Sequence, residues 1–135
     1  MMKPIFFAGL VAAQVALVAD FPLFSCREGL KHLAESVTQT MPYDANRVHL
    51  PSGEFINASY ITTGERQYIV AETPHIHDEN RLWETVATQG VHLIVSMGES
   101  SSALFPEKGE IRLIGGYAVK CLHEKERIIN DDETV

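Results

Sequence analysis

The stretch that most constrains the fold is residues 41–71, which contain two β-rich runs joined by a short polar link. The runs are residues 55–61 and 67–71, and the five residues between them include Gly64. A link of this length that contains glycine predicts a β-hairpin. Residues 57–59 interrupt the first run with small side chains that favour a strand poorly, so we expect another segment of backbone to pass close to them.

The segments before this hairpin predict two helices. Residues 4–19 are apolar except for Gln14, and their length and Ala/Leu content favour a helix. After a short basic start they also have the form of a secretory signal, so both interpretations stay open. Residues 24–37 are the second predicted helix, because Ser25 and Glu28 have capping-box spacing. Its inward face is expected to carry Leu30, Leu33, Ala34 and Val37.

The segments after the hairpin predict a helix, a buried strand and a second hairpin. Residues 79–89 have an amphipathic pattern that begins after Asp78 and ends before Gly90. Residues 91–97 are almost all apolar, which indicates a central strand buried on both faces. Two further strands, around a pair of glycines, are predicted at residues 111–114 and 117–122.

The mixture of these elements predicts an α+β fold with a mixed, twisted sheet flanked by helices, because strands and helices do not alternate strictly. A length of 135 residues is sufficient for one domain. We expect an apolar segment at residues 1–20, the domain at residues 21–129 and an acidic tail at residues 130–135.

The charge and the cysteine content argue against several classes of function. The net charge of −7 argues against nucleic-acid binding, because phosphate contacts need a basic surface. Cys26 and Cys121 are too few for a disulfide framework and indicate a reducing compartment. His75, His77 and Asp78 have no further strong ligand at a fixed spacing, so we predict exposed histidines and no metal site.

Four short motifs carry a resemblance to a known family. They are PYD at 42–44, NRV at 46–48, FINASYI at 55–61 and YIVA at 68–71. In this order they resemble the amino-terminal half of a classical protein tyrosine phosphatase domain, and the likeness covers roughly residues 35–128. The resemblance implies a partial tyrosine-phosphatase-like fold and a cytoplasmic location. The alternative is a secreted or membrane-associated location through residues 1–20.

The resemblance also implies a specific chemistry. Family members use a cysteine thiolate within a loop of backbone N–H groups, an arginine that binds the phosphate and an aspartate that protonates the leaving oxygen. In the family these parts lie carboxy-terminal to everything matched by these motifs, so we predict no catalytic residue in this chain. Cys121 and Arg127 have the C-x5-R spacing of that loop, but no glycine separates them. Glu124 and Glu126 would also repel a phosphate dianion, and by resemblance the segment aligns with a strand.

The positions that recognise substrate in the family are altered. The family's Asn-Arg-Tyr loop, whose tyrosine packs on the substrate ring, reads ESV at 35–37, and valine cannot stack in this way. The family's Thr-Gln-Gly-Pro reads AETP at 71–74, so its glycine is lost. The acidic residue that follows the recognition loop corresponds to Gln39. The candidate substrate-binding residues are therefore Val37, Thr38 and Gln39, in degenerate form.

We therefore expect a non-catalytic, pseudophosphatase-like domain that acts as an interaction or structural module and needs no cofactor. Its expected partner is a protein, and phosphotyrosine proteins of signalling are candidates. Residues 91–95 would keep one apolar face uncovered, so we expect self-association, coverage by residues 4–19 or poor solubility. Membrane contact is expected only if residues 1–20 are a signal or an anchor. One alternative is a fragment of an active phosphatase whose carboxy-terminal catalytic half is missing from this chain, and another is a secreted binding protein.

Overall fold

The chain folds around a five-stranded sheet and a separate two-stranded sheet. The computed structural model describes residues 3–7, 25–36, 38, 40–97 and 104–127. The strands of the larger sheet are β1 (Lys3–Phe7), β2 (Arg47–His49), β3 (Phe55–Thr63), β4 (Arg66–Ala71) and β5 (Val91–Ser96). Their order is β2-β3-β4-β1-β5, with antiparallel pairs from β2 to β4 and β1 parallel to both its neighbours. This mixed sheet, with its helices, confirms the predicted α+β class.

The hairpin predicted from residues 55–71 is confirmed as β3 and β4. Ala58 pairs with Ala71 at one end of the hairpin, and Thr63 pairs with Arg66 at the other. The link is shorter than predicted, because both strands extend into it and leave a tight turn that begins at Gly64. Gly64 has a φ of 59°, which a glycine adopts without strain.

The first predicted helix is wrong in the part that the structure describes. Lys3–Phe7 form strand β1 between β4 and β5, and residues 8–19 lie outside the described residues. Ile5 is fully buried and pairs with Ile69 of β4 and Ile94 of β5. A run rich in Ile and Phe fits a buried strand as well as a helix, and its tertiary neighbours decide between the two.

The apolar strand predicted at residues 91–97 exists as β5, but its predicted central position is wrong. Within the described sheet β5 is an edge strand that pairs with β1 alone. Leu93 is 51% exposed, and Met97 just beyond the strand is 53% exposed. An apolar run indicates that other segments pack against a strand, but it does not specify which segments these are.

The second predicted helix is shorter than expected. Helix α1 spans Arg27–Lys31, and a 3₁₀ turn follows at Leu33–Glu35. The predicted inward face is also wrong, because Leu30 is 60% exposed and Ala34 is exposed beside it. Val37 lies outside the described residues. A segment this short makes too few contacts to bury an apolar stripe.

The cap of α1 comes from a distant residue rather than from Ser25. The Asp44 carboxylate accepts hydrogen bonds from the backbone N–H groups of Arg27 and Glu28, each at 3.0 Å. The Ser25 hydroxyl donates to the same carboxylate at 2.9 Å. Burial acts to raise the pKa of Asp44, but these hydrogen bonds and the charge of Arg47 outweigh burial and hold the pKa below its ordinary value.

Helix α2 spans Glu79–Thr88, close to its predicted bounds, and its inner face completes the core. Leu82 and Trp83 are buried, and Trp83 packs edge-on against Phe105 with ring centroids 6.0 Å apart. Asp78 takes the predicted N-cap position, although its side chain makes no capping hydrogen bond. Over the described residues, neither helix is long and apolar enough to cross a membrane. The buried core consists of Ile5, Val48, Leu50, Ile56, Ala58, Ile69, Ala71, Leu82, Trp83 and Leu104.

The second predicted hairpin is confirmed as β6 (Ile111–Ile114) and β7 (Tyr117–Lys120), which form the smaller sheet. Its turn lies against α2, because a Cβ atom at Gly115 would be 2.7 Å from the Asn80 Cβ. This close approach attaches the hairpin to the helix that covers the larger sheet.

Candidate functional site

One predicted recognition position, Thr38, belongs to a polar cluster centred on one carboxylate. The structure describes Thr38, whereas Val37 and Gln39 lie outside the described residues. Thr38 follows the 3₁₀ turn at Leu33–Glu35 and contacts Glu72, the first residue after β4. Thr38 is therefore held by the residue that directly follows the β3–β4 hairpin.

The Glu72 carboxylate accepts hydrogen bonds from both backbone and side-chain donors. The N–H of Thr38 donates to Oε1 at 2.8 Å, and its hydroxyl lies 3.3 Å from the same oxygen. The Ser36 hydroxyl lies 3.2 and 3.1 Å from the two oxygens, and Asn57 Nδ2 donates to Oε2 at 2.8 Å. We call Ser36, Thr38, Asn57 and Glu72 the Glu72 cluster. Through these hydrogen bonds the carboxylate holds Ser36 and Thr38 against the end of the hairpin.

Asn57 connects the Glu72 cluster to the sheet. Its Nδ2 also donates to the carbonyl of Thr40 at 2.7 Å, and its backbone carbonyl accepts from the Glu72 N–H at 3.0 Å. The expectation that another segment passes close to residues 57–59 is therefore confirmed. The segment that approaches β3 here includes Thr40.

A shallow pocket lies beside the Glu72 cluster. It encloses about 50 Å³, which is room for a few water molecules, whereas small-molecule sites usually enclose about 300–1,000 Å³. The His32 ring covers one wall by stacking on Phe55, with centroids 4.2 Å apart and planes 1° apart. The polar residues that line the pocket are His32, Glu35, Ser36, Asn57, Glu72, Thr73, His75, Asp78 and Arg81.

The lining of this pocket has an excess of negative charge when its histidines are neutral. Glu35, Glu72 and Asp78 oppose a single arginine, Arg81. The Arg81 guanidinium nitrogens lie 3.5, 3.8 and 3.7 Å from carboxylate oxygens of Glu35, Glu54 and Asp78. An arginine surrounded by carboxylates has little attraction left for a phosphate dianion.

Neither cysteine has the environment of a catalytic thiolate. Burial, followed by the negative charge of Asp44, raises the pKa of the Cys26 thiol, whereas a nucleophile needs a lowered pKa. The Cys121 Sγ donates to the carbonyl of His123 at 3.3 Å. Residues 122–127 are exposed and continue without helix or strand, and Arg127 lies at the end of this stretch. The described residues around Cys121 therefore do not form a glycine-rich loop for phosphate.

Of the two loop histidines named from the sequence, His75 lines the pocket. His75 and His77 are exposed, and His75 Nε2 lies 3.1 Å from the carbonyl of Glu35. In the part of the chain that the structure describes, no group of three or more His, Cys, Asp or Glu side chains is arranged to hold a metal ion. His75 acts instead as a contact between two segments of backbone.

Sequence reasoning did not identify Glu72 and Asn57 as parts of the site. The motifs mark residues 71–74 only as altered positions. The pairing of Ala58 with Ala71 places Glu72 next to Asn57, and this register follows from the hairpin. No sequence pattern indicated the contact between Glu72 and Thr38, because it joins segments that are far apart in the chain.

One family model matches the chain over most of its length. The model is described as protein-tyrosine phosphatase, and it matches residues 33–134. The match includes the Glu72 cluster, helix α2 and the second hairpin, but not strand β1. No solved structure matches the chain significantly.

Proposed function

The chain belongs to the protein-tyrosine phosphatase family, and from this premise we propose that it is a non-catalytic member that acts as an interaction or structural module. Four features support the proposal: the Glu72 carboxylate, the charge of the pocket, the size of the pocket and the surroundings of the two cysteine thiols. The proposed division into residues 1–20, 21–129 and 130–135 and the cytoplasmic location remain predictions.

The observation that carries the proposal is the Glu72 carboxylate itself. It occupies the donors of the recognition segment, among them the Thr38 N–H at 2.8 Å and the Ser36 hydroxyl at 3.1 Å. A phosphate group that approached these donors would have to displace a covalently attached anion. Because Glu72 is part of the chain itself, free phosphate competes at a large disadvantage.

The charge and the size of the pocket support the same conclusion. A phosphotyrosine side chain carries a dianion, and the pocket presents it with carboxylates and with an arginine that Glu35, Glu54 and Asp78 already surround. A volume of about 50 Å³ also leaves no room for an aromatic ring with its phosphate. A module of this kind would bind protein surfaces rather than turn over phosphotyrosine.

The test is an assay of the purified chain on p-nitrophenyl phosphate, with Cys26→Ser and Cys121→Ser as matched variants. We expect no turnover that depends on either cysteine. Turnover that disappears in one of the two variants would overturn the proposal. A second measurement, amide NMR shifts of Thr38 on addition of tungstate, is expected to show no saturable binding.

The competing proposal is a piece of an active phosphatase that is completed by sequence beyond Val135. It rests on the family resemblance, in which the catalytic parts lie carboxy-terminal to the matched motifs. It predicts a transcript that continues in frame after Val135 and encodes a glycine-rich C-x5-R loop. A stop codon directly after Val135 in every transcript would contradict it.

A further inference from the structure

A second and larger cleft lies between helix α2, the edge strand β5 and the second hairpin. It encloses about 350 Å³, whereas the pocket beside the Glu72 cluster encloses about 50 Å³. This volume falls within the range of about 300–1,000 Å³ that is usual for small-molecule sites. We call it the apolar cleft, and its apolar walls are formed by Trp83, Val86, Val91, Ile94, Phe105 and Val119.

The walls of the apolar cleft belong to elements that the core already holds in place. Trp83 on α2 is 8% exposed, and its ring packs edge-on against Phe105. Val86, Ile94 and Val119, on α2, β5 and β7, pack against the same core but are only half-buried. A ligand in the cleft would therefore cover apolar surface that the fold leaves partly in contact with water.

Trp83 also brings a hydrogen-bond donor without a partner to this cleft. Its Nε1 atom is buried and donates to no acceptor among the described residues. A buried donor without an acceptor is destabilising, and most such donors in native proteins are satisfied by protein, water or a ligand. An oxygen atom of a bound ligand would satisfy this indole N–H.

The basic residues of the apolar cleft stand at its mouth. Lys120 lines the cleft and is exposed, and His92, the other basic residue of the lining, is exposed as well. No Asp or Glu is found among the described residues that line the cleft. Within the part of the chain that the structure describes, Lys120 forms no ion pair. The lining thus differs in charge from the acidic pocket beside the Glu72 cluster, and it favours an anionic ligand.

We propose that the apolar cleft binds a small organic acid, with an aromatic or branched aliphatic body against Trp83 and Phe105 and a single carboxylate at the mouth beside Lys120. Burial of the apolar body supplies most of the affinity. The attraction between the carboxylate and Lys120 selects an acid over a neutral molecule of the same shape. A ligand oxygen accepts the hydrogen bond of the Trp83 indole. The inference goes beyond the proposed function and uses no part of the Glu72 cluster.

The test is a titration of the full chain with phenylbutyrate, followed through the Trp83 indole N–H in a proton–nitrogen correlation NMR spectrum. The chain contains one tryptophan, so this cross-peak is unambiguous. We expect a saturable shift with a Kd on the order of 0.1–1 mM, as for other ligands of this size. The neutral phenylbutyramide is the matched ligand, and we expect it to bind about two- to fivefold more weakly, because it lacks the ion pair with Lys120.

Two lysine variants test the charge. In the Lys120→Met chain the acid and the amide should bind equally, because the positive charge that distinguishes them is gone. The control is Lys31→Met, on α1 and outside the lining of the cleft. It should keep the preference for the acid.

The two cysteines give a second measurement on the same ligand. Cys121 lines the apolar cleft, whereas Cys26 does not. In a Cys26→Ser chain, saturating phenylbutyrate should slow the reaction of Cys121 with a thiol reagent severalfold. In a Cys121→Ser chain, the reaction of Cys26 should keep its rate.

A pair of tryptophan substitutions on β7 tests the location of the ligand. Val119→Trp places a large side chain in the cleft and should weaken binding by more than about tenfold. Ala118→Trp, at the exposed neighbouring position, is the control and should leave the affinity unchanged. These two chains are followed through the protection of Cys121, because each contains a second tryptophan. If Val119→Trp does not fold, the comparison of acid and amide and the protection of Cys121 still decide.

Several outcomes would overturn the inference. One is the absence of both a saturable Trp83 shift and Cys121 protection up to about ten times the expected Kd. Equal affinity for the acid and the amide in the original chain would remove the role of Lys120. Equal weakening by the two β7 substitutions would place the ligand outside the cleft. A Cys121 thiol that is unreactive without ligand would show that another part of the chain or a second copy covers the cleft. None of these measurements depends on the phosphatase assay, so the two proposals fail separately.

Discussion

Asn57 and Glu72 hold each other through two hydrogen bonds of opposite direction. The Glu72 N–H donates to the Asn57 backbone carbonyl at 3.0 Å, and Asn57 Nδ2 donates to the Glu72 carboxylate at 2.8 Å. The first bond continues the β3–β4 ladder by one step, and the second turns the side chain of Glu72 toward Ser36 and Thr38. A local pairing in the hairpin thereby determines where the carboxylate of the candidate site lies.

The Glu72 cluster is expected to contribute measurably to stability. We expect Glu72→Gln to lower the free energy of unfolding by about 1–3 kcal/mol, because a neutral amide leaves part-buried donors poorly satisfied. Urea denaturation followed by Trp83 fluorescence measures the change. Glu65→Gln, in the exposed β3–β4 turn, is the matched control and should stay within about 0.5 kcal/mol of the original chain. Equal losses in the two variants would contradict a structural role of the carboxylate.

The cap that Asp44 places on α1 predicts a pH dependence. The pKa of Asp44 in the folded chain lies below its ordinary value of 3.8. The stabilisation of the folded chain by ionised Asp44 is therefore complete above that value and is lost as the pH falls through the folded pKa. We expect Asp44→Asn to lower the free energy of unfolding by about 0.5–2 kcal/mol at pH 7. The difference from the original chain should shrink below about pH 4. Thermal unfolding between pH 3 and 7 measures it.

The control for Asp44 is Asp78, which stands at the N-cap position of α2. Asp78 holds that position in α2 without a capping hydrogen bond, and its carboxylate lies 3.7 Å from Arg81. Asp78→Asn should therefore cost less than Asp44→Asn, since a weak ion pair of this kind contributes about 0–1 kcal/mol. A larger loss from Asp78→Asn would show that the Asp44 hydrogen bonds stabilise the chain less than this ion pair does.

Leu82 and Leu30 should contribute very differently to the free energy of unfolding. Leu82 is 0% exposed under the sheet, whereas Leu30 on α1 is 60% exposed. We expect Leu82→Ala to lower the free energy of unfolding by about 2–5 kcal/mol, because it leaves a cavity in the core. Leu30→Ala should change it by less than about 0.5 kcal/mol. Chemical denaturation of both variants is the measurement, and comparable losses would place Leu30 in the core after all.

Two turn glycines with similar backbone angles should also respond differently to alanine. Gly64 and Gly115 have φ values of 59° and 55°, so both substitutions carry the strain of a left-handed conformation. Only at Gly115 would the new Cβ meet another residue, at 2.7 Å from the Asn80 Cβ. We expect Gly115→Ala to lower the melting temperature by several degrees more than Gly64→Ala. Equal shifts would mean that β6 and β7 do not pack on α2 through this turn.

Self-association is expected through the apolar side chains that remain exposed. Leu113 on β6 is 84% exposed and Leu93 on the edge strand β5 is 51% exposed. Exposed apolar groups near an open sheet edge favour contacts between chains. We expect Leu113→Lys and Leu93→Lys to reduce the weight-average mass in sedimentation velocity at high protein concentration. Thr63→Lys, at an exposed polar position, is the control and should leave it unchanged.

The sequence by itself determined the elements whose signals are local. Both hairpins follow from glycine-containing links between β-rich runs, and α2 follows from its amphipathic pattern between Asp78 and Gly90. The close approach of another segment to residues 57–59 was also predictable, because small polar side chains favour a strand poorly and indicate that a neighbouring segment lies close to them. These features depend on residues that are near one another in the chain, so pattern and turn chemistry are sufficient to predict them.

Only the tertiary structure decided the features that join distant segments. The apolar run at Lys3–Phe7 is compatible with a helix or a strand, and the open edges of β4 and β5 selected the strand. That insertion in turn left β5 at the edge of the sheet. Asp44 rather than Ser25 caps α1, and Glu72 holds Thr38, because each carboxylate meets its donors only after the chain has folded back. Hydrogen bonds of this kind depend on positions in space that no local pattern encodes.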